Sequence, residues 1–219
     1  DMIPNRGNRL WLEADQPGYF WGQCAEYCGD SHAVMRFRVI ALDANDFQAW
    51  LTAQKAPGRV VPVTAATNAP AQPQFAVLKT WKQNAPGYTD RFDRSDITPL
   101  DNWKQQQFPN KNEDPQLIAR GRKLFQEKTC VGCHTVRGQE GVGITGPNLT
   151  HVGSRTTIAA GLLENNPEQL ARWISHPDRV KPGNKMYNGG YTDPATGKRN
   201  FTLTDDDVTA LVAYLSSLK

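Results

Sequence analysis

Cysteine, histidine and methionine are all scarce in this chain of 219 residues, at four, four and three. No histidine precedes Cys24; the four lie at 32, 134, 151 and 176. The net charge is only +3 and the basic residues form no cluster, so the electrostatic footprint of a nucleic-acid binder is missing. No charge occurs from Val60 to Leu78, but Pro62, Asn68, Pro70, Gln72 and Pro73 interrupt that stretch, and its apolar content is too low for a membrane span. No acid–base or nucleophilic triad is legible. The chain begins at Asp1 without a start methionine or anything resembling a signal peptide, so a fragment of a longer gene product is expected.

The scarce residues are concentrated. Cys24, Cys28, His32 and Met35 fall within twelve positions, in Gly22-Gln23-Cys24-Ala25-Glu26-Tyr27-Cys28-Gly29-Asp30-Ser31-His32-Ala33-Val34-Met35. Two thiolates, an imidazole and a thioether are the soft and borderline donors that copper prefers. A mononuclear blue-copper site uses one Cys; two can bridge two coppers. A Cys24–Cys28 disulfide would leave His32 and Met35 without a role, and a thioether suits zinc poorly.

A second pattern, Cys130-Val131-Gly132-Cys133-His134, is the C-x-x-C-H of covalent haem c attachment. Cys130 and Cys133 would form the thioethers and His134 the proximal bond. A thioredoxin-like CxxC is the competing reading, and the adjacent His argues against it. Only Met186 among the methionines follows this motif. It sits in the Pro/Gly loop Lys181-Pro182-Gly183-Asn184-Lys185-Met186, with His151 and His176 as rival sixth ligands. Met/His ligation raises the potential and suits an electron carrier. All four Cys are thereby committed, leaving none for a structural disulfide.

With its flanks Asp1–Arg6, Asn8–Trp11 and Pro17–Gln23, the first pattern resembles the binuclear copper (CuA) loop of cytochrome c oxidase subunit II, over residues 1–54. The resemblance implies that Cys24 and Cys28 bridge both coppers. One copper adds His32 and the Glu26 carbonyl; the other adds Met35 and a histidine from an upstream strand, which this chain does not contain. It further implies that the Glu26 carboxylate is a magnesium ligand at the boundary with the catalytic subunit, against the plainer reading of a solvated surface Glu. Two upstream membrane helices and the first cupredoxin strands would belong to the missing part.

The second region resembles a class I cytochrome c. Asp114-Pro115 starts a helix whose face is Leu117, Ile118, Leu124 and Phe125, with Gly121 placed for close approach of another helix. Thr204-Asp205-Asp206-Asp207 caps a C-terminal helix with the stripe Val208, Leu211, Val212, Leu215. The resemblance implies that these two helices cross. It also implies that the Pro147 carbonyl, in Gly146-Pro147-Asn148-Leu149, accepts the proximal His N–H, a bond that tunes the iron. Arg155 and Trp173 are candidates to hold the haem propionates, or else ordinary surface and core residues. Tyr187-Asn188-Gly189-Gly190 follows Met186 where relatives often place Pro.

The expected fold is therefore multi-domain: the C-terminal part of a β cupredoxin domain (1–54), a Pro/Ala-rich linker and aromatic docking segment (55–114), and an all-α cytochrome c domain (115–219). In the first, Arg9–Ala14 alternates like a strand, and Asp15-Gln16-Pro17-Gly18 reads as a turn. A second strand puts Met35, Phe37, Val39 and Ala41 on the inward side and Arg36 and Arg38 on the other, and Asp46–Leu51 forms a short closing helix. Residues 55–74 read as an extended linker. Residues 75–114 carry Phe75, Trp81, Tyr88, Phe92, Trp103 and Phe108, too aromatic for disorder and suited to packing on a partner or on the cytochrome. Residues 1–54 hold four basic and seven acidic side chains (net −3), residues 115–219 thirteen and nine (net +4), which favours docking of the two.

The function implied by the resemblance is electron transfer in a haem-c-containing oxidase. Electrons pass from an external cytochrome or similar donor to haem c, then to the copper pair, then to haem a and the haem–copper site of subunit I. Other oxidase subunits would be neighbours. The missing helices would anchor the chain in a bacterial cytoplasmic membrane, with these domains on the periplasmic or outer face. A nitrous oxide reductase copper domain with a fused cytochrome c, and a stand-alone electron carrier, remain as alternatives; the Gly22-Gln23 lead and Glu26 favour the oxidase.

Overall fold

The turn ending at Gly18 feeds β1 (Gly18–Gln23), which pairs antiparallel with β2 (Arg36–Ala41) from Gly18↔Ala41 to Gln23↔Arg36. The computed structural model describes residues 5–63, 98–139, 141–186 and 202–219. The Asp43 carboxylate accepts from the Asp46 N–H and caps α1 (Ala44–Lys55), which is longer than the closing helix expected at 46–51. Thr98 caps α2 (Pro99–Gln106), with Pro99 in its first turn, where its missing N–H costs no bond. Leu100 and Trp103 of α2 are buried with Tyr19, flanked by Trp21, Ile40, Leu42, Trp50 and Phe108. Lys104 forms a buried ion pair with Asp46, so α2 is tied to α1.

Two expectations for this half are corrected. Residues 9–14 form no strand, and Leu10, Trp11 and Leu12 are exposed, because no strand among the described residues pairs with them. The β2 face expected to point inward is open, with Met35 39% and Phe37 55% exposed, while the opposite face carries Ile40 into the cluster and both arginines into contacts. A completed cupredoxin sheet is not seen among the described residues; β1 and β2 are its only long strands.

The other half is built on α3 (Pro115–Glu127) and α6 (Asp205–Ser217). Asp114 caps α3 by accepting from the Gln116 and Leu117 N–H groups. Thr204 and Asp207 form a reciprocal capping box at α6. The helices meet at Gly121, where a Cβ would lie 1.9 Å from the Ala210 carbonyl oxygen; only glycine permits that approach. Ile118, Leu124 and Phe125 join Val208, Leu211, Val212 and Leu215 in one apolar core, extended by Leu170 and Ile174 of α4 (Pro167–Ser175). The short α5 (Pro177–Val180) follows. This half is not purely helical as expected. Left-handed backbone at Ala159, Ala160 and Gly161 (φ 53, 57 and 72) turns the chain so that β3 (Thr157–Ile158) pairs with β4 (Leu163–Glu164).

Two segments join the halves. Past α1, Gly58 N–H donates to the Arg137 carbonyl at 2.7 Å, and Arg137 Nη2 donates to the Ala56 carbonyl at 3.1 Å, so residues 56–58 run along the second half. From the end of α2, Gln106 and Gln107 donate to the Gly153 and Ser154 carbonyls at 3.0 and 2.9 Å. Trp103 and Phe108, of the expected docking aromatics, thus belong to the first half's cluster; Phe75, Trp81, Tyr88 and Phe92 lie outside the described residues. No described helix is long and apolar enough to cross a membrane.

Candidate metal centres

The first centre is a loop closed by the β1–β2 ladder. Cys24 N–H donates to the Met35 carbonyl at 3.0 Å, which sets the two ends side by side. Gly29 (φ 126) reverses the chain, and a 3₁₀ turn over His32–Val34 returns it to β2. Four residues spread over the sequence thereby converge. Cys24 Sγ lies 3.5 Å from Cys28 Sγ, and Cys28 Sγ lies 3.7 Å from both His32 Nδ1 and Met35 Sδ. The Glu26 carbonyl oxygen is 3.1 Å from Cys24 Sγ. The two sulfurs are too far apart for a disulfide, whose bond is about 2.05 Å, and near enough to share ligands. Three sulfurs, an imidazole and a carbonyl form a soft set that suits copper. Cys24, Cys28 and His32 are also the only group of three metal-binding side chains among the described residues.

The Tyr27 ring stands edge-on to His32 with centroids 5.8 Å apart, a contact that sequence reading missed. The Cys28 thiol is pushed above its ordinary value by its hydrogen bond to Cys24, then by burial and by repulsion from Cys24, while Lys181 pulls the other way. A metal ion would replace that proton. The Glu26 carboxylate is exposed and belongs to no three-ligand group among the described residues. A magnesium ion there would take its other ligands from elsewhere, and nothing in this geometry supports one.

The second centre follows α3. Thr129 takes left-handed backbone (φ 60), and a 3₁₀ turn over Cys130–Gly132 presents the motif, with His134 N–H donating to the Cys130 carbonyl at 3.0 Å. His134 Nδ1 lies 2.8 Å from the Pro147 carbonyl oxygen, which fixes the ring and leaves Nε2 for an iron. Gly146 lies against the ring: a Cβ there would come 2.6 Å from His134 Cε1. Cys133 is exposed; Cys130 packs on the core, and burial pushes its thiol up to about 11. These residues fit a covalently held haem.

Of the sixth-ligand candidates, His151 is buried, with Nδ1 3.1 Å from the Lys219 carbonyl and Nε2 3.4 Å from Arg137, so its ring holds the scaffold. His176 ends α4 at the surface. Met186 is half-buried, its N–H donating to the Asn184 side chain at 2.8 Å. Arg155 Nη2 donates to the Asn148 carbonyl at 2.7 Å, and Trp173 packs against the core. The Tyr187–Gly190 departure lies outside the described residues.

Comparison with known proteins assigns the two halves separately. Residues 1–42 match the family of the periplasmic domain of cytochrome c oxidase subunit II, and residues 118–219 match cytochrome c. Cytochrome c oxidase subunit 2 of Alkalihalophilus pseudofirmus is 33% identical over 221 residues, covering 100% of this chain and 45% of that protein. The same subunit of Bacillus sp. strain PS3 is 32% identical, covering 100% of this chain and 46% of its own length. That of Cereibacter sphaeroides is 43% identical over 51 residues, which is 23% of this chain. The chain thus spans less than half the length of the relatives that match it throughout.

Proposed function

We propose, for a chain that belongs to the cytochrome c oxidase subunit II family and carries a fused cytochrome c domain, that it is the electron-entry subunit of a respiratory terminal oxidase. Cys130 and Cys133 would hold haem c by thioethers, with His134 and Met186 as its iron ligands. The haem accepts electrons from an external donor. A binuclear copper centre on Cys24, Cys28, His32, Met35 and the Glu26 carbonyl receives them, with one histidine from outside this chain. From there they feed haem a and the oxygen-reducing site of subunit I in the membrane, so that oxygen chemistry and proton pumping lie in the partner. These domains lie on the periplasmic or outer face of the bacterial cytoplasmic membrane.

The observation that carries this reading is the convergence of the Cys24, Cys28, His32 and Met35 donors in one loop, in a chain that also holds a C-x-x-C-H turn whose His134 is oriented by Pro147. When bound, the metals supply one-electron redox chemistry; the chain supplies their ligands and the scaffold between them. Metal analysis of the complete purified protein tests it. Two coppers per covalently bound haem are expected. Cys24→Ser should remove the copper and keep the haem, and Cys133→Ser should weaken covalent haem attachment and keep the copper. Haem without copper in the unmutated protein would overturn the relay.

A further inference from the structure

The two ligand loops touch. Ser31, beside the copper-loop His32, donates from its hydroxyl to the Pro182 carbonyl at 2.5 Å. Gly183 lies against the Asp30 side chain, where a Cβ would come 3.0 Å from Oδ2. Residues 181–183 lead directly into Met186, so the segment that holds the proposed sixth haem ligand rests on the loop that holds the proposed coppers.

This contact is braced from a second side. Arg36 N–H, at the first position of β2, donates to the Ala160 carbonyl at 2.8 Å, and Arg38 Nη2 donates to the Gly161 carbonyl at 3.3 Å. The Arg38 guanidinium also stacks on Trp21, 3.4 Å from its ring centroid. Tyr19 and Thr156 hydroxyls are 2.8 Å apart. The left-handed run at 159–161 is what turns these carbonyls toward β2. A Cβ at Gly161 would lie 3.0 Å from the Arg36 carbonyl oxygen. A hairpin that a plain helical domain has no need of therefore grips the strand leading out of the copper loop.

We propose that the Lys181–Asn184 turn, seated on Asp30 and Ser31 and braced by the 157–164 hairpin on β2, is the fixed internal electron-transfer contact of this chain, with Ser31 as its positioning residue. The proposal rests on the electron-relay reading above. One electron leaves the haem iron, Fe(II) becoming Fe(III), and enters the copper pair, Cu(II)Cu(I) becoming Cu(I)Cu(I). The haem domain stays docked, so transfer needs no swing of one domain toward the other. Losing the Ser31 hydroxyl removes the hydrogen bond that joins the turn to the copper loop, so transfer slows through a weaker contact within the docked state.

The test uses the complete copper- and haem-loaded protein. A photo-released reductant gives the haem one electron, and haem reoxidation is followed with the copper absorption. Ser31→Ala should slow transfer several-fold, Ser31→Thr should keep the native rate, and Gly161→Val, which meets the Arg36 backbone and no metal ligand, should slow it at least as much as Ser31→Ala. In the slowed variants amide exchange at 36 and 184, whose N–H groups donate to the Ala160 and Lys181 carbonyls, should rise, while the copper EPR and haem optical spectra stay unchanged. If the copper spectrum shifts in Ser31→Ala, Gly161→Val decides alone. Native transfer rates in Gly161→Val despite faster exchange would overturn the proposal and leave the relay reading standing. Absence of a copper signal in the unmutated protein would overturn both.

Discussion

The two halves of the chain keep their folds by different means. Among the described residues, the haem half has one core of fifteen buried apolar residues, drawn mainly from α3, α4 and α6, and needs little from outside it. The copper half has three, Tyr19, Leu100 and Trp103, and two of these come from α2 (Pro99–Gln106), far along the chain from the copper loop that ends at Met35. A buried Lys104–Asp46 pair stands where the haem half has aliphatic packing. The difference shows which half carries its own fold. A helical pair with a glycine crossing buries enough apolar area to stand on its own, whereas a two-stranded ribbon is marginal unless other elements cover it. Met35 and Phe37 mark the open side of that ribbon.

The contrast is broken most directly at Lys104. Lys104→Met leaves Asp46 buried without its cation and should cost about 3–5 kcal/mol, read by urea unfolding followed through tryptophan fluorescence. Adding Asp46→Leu should recover most of it. An unchanged midpoint in Lys104→Met would mean the pair is dispensable and the copper half is held by something else.

Gly121→Ala is the matching break in the haem half. The added methyl meets the Ala210 carbonyl, and forcing α3 from α6 should cost about 1–3 kcal/mol. Loss of helical circular dichroism on heating checks it. If the two halves fold independently, Gly121→Ala in a Trp173→Phe background, which removes the tryptophan packed on the haem-half core, should leave the tryptophan transition unmoved.

The α6 cap sharpens the contrast through pH. Burial works against the Asp207 carboxylate, but its bonds to Thr204, the Lys128 ammonium and Arg120 outweigh that and hold it below the ordinary carboxylate range. A depressed folded value means the ionised form contributes stability above the unfolded value, near 3.9, and that this contribution is lost as pH falls through the folded one. Thr204→Ala should cost about 1 kcal/mol at neutral pH, and Asp207→Asn should destabilise at pH 7 but not in acid. A pH-independent Asp207→Asn effect would contradict the assignment.

The smallest effect concerns the haem-free thiols. Burial at Cys130, with a value of about 11, leaves roughly one thiol in a thousand ionised at pH 8. Alkylation should therefore reach exposed Cys133 first and Cys130 only as pH approaches 11. Equal rates at pH 8 would mean that the Cys130 pocket is open.

What could be read in the sequence follows the same division. The helix caps at Asp114 and Thr204, the Gly121 crossing and the Pro147–His134 bond were all legible, because each depends on residues a few positions apart or on a fixed motif. The clustering of Cys24, Cys28, His32 and Met35 was legible for the same reason. The orientation of β2 was not. Alternation distinguishes two faces but not which is covered, and the covering here comes from residues 100–108 and 156–161, joined to β2 only by tertiary packing. Ser31 meeting Pro182, 151 residues away, leaves no local signature at all. Nor did composition announce the β3–β4 hairpin, since two of its three left-handed positions are alanines.

The most direct test of the electron relay is the EPR spectrum of the oxidised, membrane-extracted complete protein. The expected result is one unpaired electron shared between two coppers, beside a separate low-spin haem signal. A haem signal alone would contradict the relay and reduce the chain to a cytochrome with an empty sulfur-rich loop.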